Sequence, residues 1–103
     1  MDIRYLYNLI EGHVILPSEL IANVKLPNYE FVKFSNGYTG LIVETRCALN
    51  DGAIVDFTYY FDKQDKLLKL ISQNGSLSEV LFDRELEVQK FMRDIKGKVP
   101  ETV

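Results

Sequence analysis

Ala53-Ile54-Val55-Asp56-Phe57-Thr58-Tyr59-Tyr60-Phe61-Asp62 is the stretch that decides how this chain folds. Val55, Phe57, Tyr59 and Phe61 fall on one parity; Ile54, Asp56, Thr58, Tyr60 and Asp62 fall on the other. A period of two puts the first set on one face of a strand and the second on the opposite face. An apolar face backed by a mixed one is the pattern of an antiparallel sheet with one solvated side.

Working outward, Asn50-Asp51-Gly52 is a turn, and the residues before it, Tyr38 to Leu49, alternate again. Leu41, Val43, Thr45, Cys47 and Leu49 form the predicted core set, and Ile42, Glu44, Arg46 and Ala48 the half-wet set. Arg46 then falls across the hairpin from Asp56 as a cross-strand ion pair. Asn36-Gly37 predicts a type I′ turn, which needs positive φ at both central residues. It follows a first strand rich in aromatic and β-branched residues, Tyr29 to Ser35. Downstream, Lys63-Gln64-Asp65-Lys66 makes a third turn and Leu67 to Gln73 a fourth strand of less regular pattern. Asn74-Gly75-Ser76 is the last strong turn.

Helical periodicity flanks this block. Ile3, Leu6, Tyr7 and Ile10 recur at i, i+3, i+4 and i+7, predicting a helix from Asp2 to about Glu11. Pro17-Ser18-Glu19 reads as a second helix start, with Leu20, Ile21 and Val24 as its buried face and Pro27 limiting its length. A third helix ends near Lys96, before Gly97, with Val88, Phe91, Met92 and Ile95 as its core stripe. Its start falls between Leu77 and Arg84: Ser76 with Glu79 has capping-box spacing, and Asp83 is a second candidate N-cap. The predicted fold is α+β, a four-stranded antiparallel meander packed by helices on one face, in the order ααββββα. It forms one domain over residues 1–97, and residues 98–103 read as a frayed tail.

Composition bounds the function. The chain has 103 residues, 47% hydrophobic and 26% charged, which suits one globular domain. A net charge of −3 argues against a dedicated duplex-DNA binder, whose affinity comes from neutralising phosphates. One cysteine precludes an internal disulfide. No apolar run approaches the roughly 18 residues of a membrane span, and the N-terminus lacks a signal-peptide pattern. The expectation is a cytoplasmic protein that does not engage membranes.

No cofactor or metal is expected. One Cys and one His cannot make a zinc cluster. Gly37-Tyr38-Thr39-Gly40 lies between strands and lacks the following helix that would aim its amides at a phosphate. Cys47 and His13 could pair as nucleophile and base, but Cys47 sits on the apolar set, where a free thiol packs as a small hydrophobe. Asp56, Asp62 and Glu44 could do acid–base work only if burial raised a pKa, so they are expected to keep the outer sheet face wet. No catalytic residue is assigned, and the chain is not expected to be an enzyme.

Aromatic residues carry the positive signal. Phe57, Tyr59, Tyr60 and Phe61 share a strand, and Tyr29, Phe31, Phe34 and Tyr38 lie in or beside the first. Alternating faces forbid one core for all of them, and Tyr60, on the Asp56 and Thr58 parity, is the expected exposed one. With Thr58 and the nearby Lys63, Lys66 and Lys69, it forms the candidate contact surface. The expected role is that of a small accessory or regulatory protein acting through contact with another protein, a homodimer included. A single-stranded nucleic-acid binder using Tyr60 and the three lysines is the alternative. A further alternative is an enzyme or small-ligand binder with a shallow site around His13, Cys47 or a buried carboxylate.

Leu26-Pro27-Asn28-Tyr29-Glu30-Phe31-Val32, followed by Ser35-Asn36-Gly37, is similar to a motif of a superfamily of α+β immunity proteins that neutralise toxins by binding them. The resemblance implies a protein-binding role and assigns no site residue. Asn36-Gly37 and Asn74-Gly75 are also tight-turn sequences of the kind prone to deamidation.

Overall fold

The computed structural model describes Gly12 and residues 14–98, with side chains to Asp94. The predicted helix from Asp2 to Glu11, His13, the side chain of Ile95 and residues 99–103 lie outside the described residues. The elements are α1 (Pro17–Asn23), β1 (Tyr29–Asn36), β2 (Leu41–Ala48), β3 (Ile54–Phe61), β4 (Leu67–Asn74), β5 (Leu77–Asp83) and α2 (Arg84–Lys98). The fold is α+β, and its sheet is a five-stranded antiparallel meander in sequence order.

The expectation of four strands is therefore corrected. Leu77–Asp83 is a strand, although Leu77, Val80 and Leu81 have helical spacing. Asn74 pairs with Leu77 around Gly75 and Ser76, and Gly75 has a φ of 62°. Glycine at the first central position is the pattern of a type II′ hairpin. That hairpin returns the chain along β4, whose edge would otherwise leave a row of backbone groups unpaired. The Ser76–Glu79 spacing goes unused. The helix begins two turns later, at Arg84, where the Asp83 carboxylate accepts from the Leu86 N–H at 3.2 Å. Gly97 does not end it, and Lys98 belongs to the helix rather than to a tail.

The first turn also differs. Asn36 pairs with Leu41, leaving a four-residue loop from Gly37 to Gly40. Neither Asn36 nor Gly37 has positive φ, so no type I′ turn forms. The loop is closed by Gly37 N–H donating to Gly40 O at 2.7 Å. Gly40 lies hard against the end of β3: a Cβ there would stand 2.5 Å from the carbonyl oxygens of Phe61 and Asp62.

The inner face of the sheet holds the core. Leu20, Val43, Tyr59, Phe61 and Leu67 are buried together, with Ile15, Val32, Leu41, Phe57, Leu70 and Phe82 packed around them. Tyr60 pairs with Lys69 and Phe61 with Leu67, so Leu68 is an extra residue in β4. This bulge lets Leu67 and Leu70 both reach the core, and it explains the irregular pattern of the fourth strand. Leu81 is a second extra residue, in β5 between Val80 and Phe82.

The helices contribute less than predicted. The Glu19 carboxylate accepts from the Leu16 N–H at 2.9 Å and fixes the start of α1. Of its predicted face only Leu20 is buried; Ile21 and Val24 are about half exposed. Seven residues make two turns, which gives one inward position besides Pro17. On α2, Val88 and Phe91 are half-buried and Met92 is exposed, because the helix meets the sheet chiefly along β4 and β5.

Candidate functional site

The strand register sorts the polar residues. Three rows cross the outer face: Phe31–Arg46–Asp56–Gln73–Ser78, Lys33–Glu44–Thr58–Ile71–Val80, and Ser35–Ile42–Tyr60–Lys69–Asp83. Every one of these side chains is half-buried or exposed. On the inner face Val43, Thr45, Cys47, Val55, Tyr59 and Phe61 are buried. Among the described residues the outer face is thus the open one.

Arg46 organises one end of this face. Its Nε donates to Asp56 Oδ1 at 2.7 Å and its Nη2 to Asp56 Oδ2 at 3.1 Å, the forked geometry of an arginine–carboxylate pair. The guanidinium also lies 5.2 Å from the centre of the Phe31 ring. The hydrogen bonds from Arg46 hold the Asp56 carboxyl below the ordinary aspartate range, and burial opposes them. Asp56 therefore carries a committed negative charge, the wrong state for a general acid.

Tyr60 and Thr58 lie two residues apart on the same face, and Lys69 is the direct β4 partner of Tyr60. Tyr60 is half-buried between Ile42 and Lys69. The Lys69 ammonium lies 3.8 Å from Asp83 Oδ2. Lys63 and Lys66 stand beyond the strand in the third turn. There the Asp62 carboxylate accepts from the backbone N–H groups of Gln64 at 2.8 Å and Lys66 at 2.9 Å. The turn holds Asp62 and Asp65 beside its two lysines, so the local charge is balanced. Asp62 acts as a turn former and does not share the strand face with Asp56.

Cys47 is buried on the inner face and burial pushes its thiol pKa up, so it has the setting of a packing residue. Among the described residues no group of His, Cys, Asp and Glu has metal-holding geometry. No described helix is long and apolar enough to cross a membrane.

Three features escaped the sequence reading. Tyr38 is fully exposed at 101%. Its loop is pinned to β3 by Gly40 and by the Thr39 hydroxyl, which donates to Phe61 O at 3.4 Å. Two glycines flanking a Tyr-Thr pair were the available signal. Arg84 is buried: its Nε donates to Leu67 O at 2.7 Å and its Nη2 to Gly12 O at 2.8 Å, and burial lowers its pKa. It ties the start of α2 to β4 and to the chain before α1. Last, a groove of ≈ 340 Å³ runs along the far end of the inner face, lined by Leu49, Val55, Phe57, Leu77, Glu79 and Leu81 among others.

No protein-family model, curated protein or solved structure matches this chain.

Proposed function

We propose that this protein works by binding another protein across the open face of its sheet, with Tyr60 as the central contact. The observation that supports this most is the make-up of that face. Phe31, Ile42, Ile54, Tyr60, Ile71 and Val80 present apolar surface without a helix over them among the described residues, and Ile54 and Val80 are about half exposed. Two of the cations among them are held in place, Arg46 by Asp56 and Lys69 by Asp83. A flat, pre-ordered surface with aromatic anchors suits a protein partner, because little side-chain entropy is lost on docking. Tyr38 stands fully exposed on its pinned loop next to the end of β3.

Charge balance favours this reading over a single-stranded nucleic acid. Lys63, Lys66 and Lys69 each have an acid nearby in Asp62, Asp65 or Asp83, so the net positive field that phosphates require is weak. Small-ligand chemistry has less support: Cys47 and Asp56 stand on opposite faces of the sheet.

The experiment is a pull-down from native lysate with quantitative mass spectrometry, using wild type, Tyr60→Ala, Tyr38→Ala and Leu77→Ala. The expected result is a partner retained by wild type and Leu77→Ala and lost with Tyr60→Ala. The same set of proteins on wild type and Tyr60→Ala overturns the proposed surface. Light scattering on the purified variants tests whether the partner is a second copy.

A further inference from the structure

The sequence contains three Asx-Gly dipeptides, Asn36-Gly37, Asp51-Gly52 and Asn74-Gly75, and the fold treats them differently. We propose that Asn74 is a site of spontaneous deamidation in the folded protein, and that the fold shields Asn36 from the same reaction.

The reaction needs a free nucleophile. The backbone nitrogen of the glycine loses its proton and attacks Cγ of the asparagine. The N–Cγ bond forms, the Cγ–Nδ2 bond breaks, and Nδ2 leaves as ammonia after taking up a proton. Water then opens the cyclic imide at either carbonyl, giving aspartate or isoaspartate. No oxidant or reductant is involved. A glycine N–H already donating to a carbonyl must first give up that hydrogen bond.

Gly37 N–H donates to Gly40 O at 2.7 Å, and Gly52 N–H donates to Leu49 O at 2.9 Å. The Asp51 carboxylate is itself held, accepting from the Ala53 N–H at 3.0 Å. Ile42 packs closely on Gly37. Gly75 differs from both in its N–H, which has no partner among the described residues. Unlike Gly37, and like Gly52, it has nothing within 4 Å of where its Cβ would stand. Asn74, Gly75 and Ser76 are all exposed, so water and hydroxide reach the tip freely.

The consequence is local and definite. Asn74 lines the inner-face groove together with Glu79, so conversion adds a second negative charge to that groove. The isoaspartate product also lengthens the main chain by one methylene at the Asn74–Leu77 pair, which sets the register of the β4–β5 hairpin.

The test is ageing of the purified protein at mildly alkaline pH, followed by peptide mapping with isoaspartate detection, beside the same incubation in denaturant. In denaturant Asn36 and Asn74 are expected to convert at similar rates. In the folded protein Asn74 converts several-fold faster than Asn36, and Asn74→Ser removes the main acidic species seen by isoelectric focusing. Equal conversion of the two sites in the folded protein overturns the proposal. So does a folded Asn74 that stays intact while its unfolded counterpart reacts, or an acidic species that survives Asn74→Ser.

Discussion

Arg46 on β2 and Asp56 on β3 stand directly opposite each other and meet through two hydrogen bonds, at 2.7 and 3.1 Å, with the Phe31 ring against the guanidinium. The pair sits on the open face with both side chains about 40% exposed (40% and 41%), so solvent and salt screen it. Its stability contribution has a definite pH sign. Asp56 ionises below its ordinary value of 3.8, chiefly because Arg46 donates to it. The contribution is therefore present above that value and lost as pH falls through the depressed pKa. Carboxyl-carbon NMR is expected to show Asp56 titrating below 3.8, and Asp56→Asn to flatten the acid limb of a stability–pH profile slightly. An Asp56 midpoint at or above the ordinary value contradicts this.

Tyr59 sets the alkaline limit. Burial, with smaller effects from Tyr29 and Cys47, pushes its hydroxyl pKa from 10.0 to about 12. The neutral form is the one the core accepts. Its contribution is complete below pH 10.0 and is lost as pH rises through about 12. Tyrosinate absorbance is expected to show a late-titrating component that disappears in Tyr59→Phe. If every tyrosine titrates early in the folded protein, the core does not hold Tyr59 as described.

Thr45 carries a removable cost. It is 1% exposed on the inner face, and its Oγ1 has no hydrogen-bond partner among the described residues. Valine keeps the shape, suits a strand and deletes the unsatisfied hydroxyl. Thr45→Val is expected to gain about 1 kcal/mol, the lower part of the penalty for a buried unpaired polar group. Urea unfolding with an unchanged slope measures it, and a loss of stability would show that the hydroxyl is satisfied.

Gly40 is required by space. Its missing Cβ would stand 2.5 Å from two backbone oxygens that belong to the end of β3. Backbone cannot rotate away as a side chain tip can. Gly40→Ala is expected to cost about 2 kcal/mol, in the range of overpacking substitutions. Amide shifts should concentrate at residues 37–41 and 60–63. A neutral Gly40→Ala would mean that the loop does not rest on β3.

Much of the fold was legible because strand alternation is a local code. Val43 with Thr45 and Cys47, and Val55 with Tyr59 and Phe61, are buried as their parity predicts, and Arg46 meets Asp56. The fifth strand was hidden because Leu77, Val80 and Leu81 repeat with helical spacing. A bulge at Leu81 breaks the two-residue period there. Ile21 and Val24 were assigned to a core that a two-turn helix cannot reach. Of the candidate surface, Tyr60, Thr58 and Lys69 share one face, while Lys63 and Lys66 belong to the adjoining turn.

The sequence by itself determined the α+β class, the meander of short antiparallel connections and the inward parity of β2 and β3. Those features depend on neighbours a few residues apart, through backbone period and turn residues. Only the tertiary structure decided how Leu67 and Leu70 both enter the core, and why Gly40 and Arg84 occupy their positions. It alone leaves the Gly75 nitrogen without a partner among the described residues while tying those of Gly37 and Gly52. Each of these rests on groups brought together across strands or around a turn, so the periodicity of a single segment does not encode them.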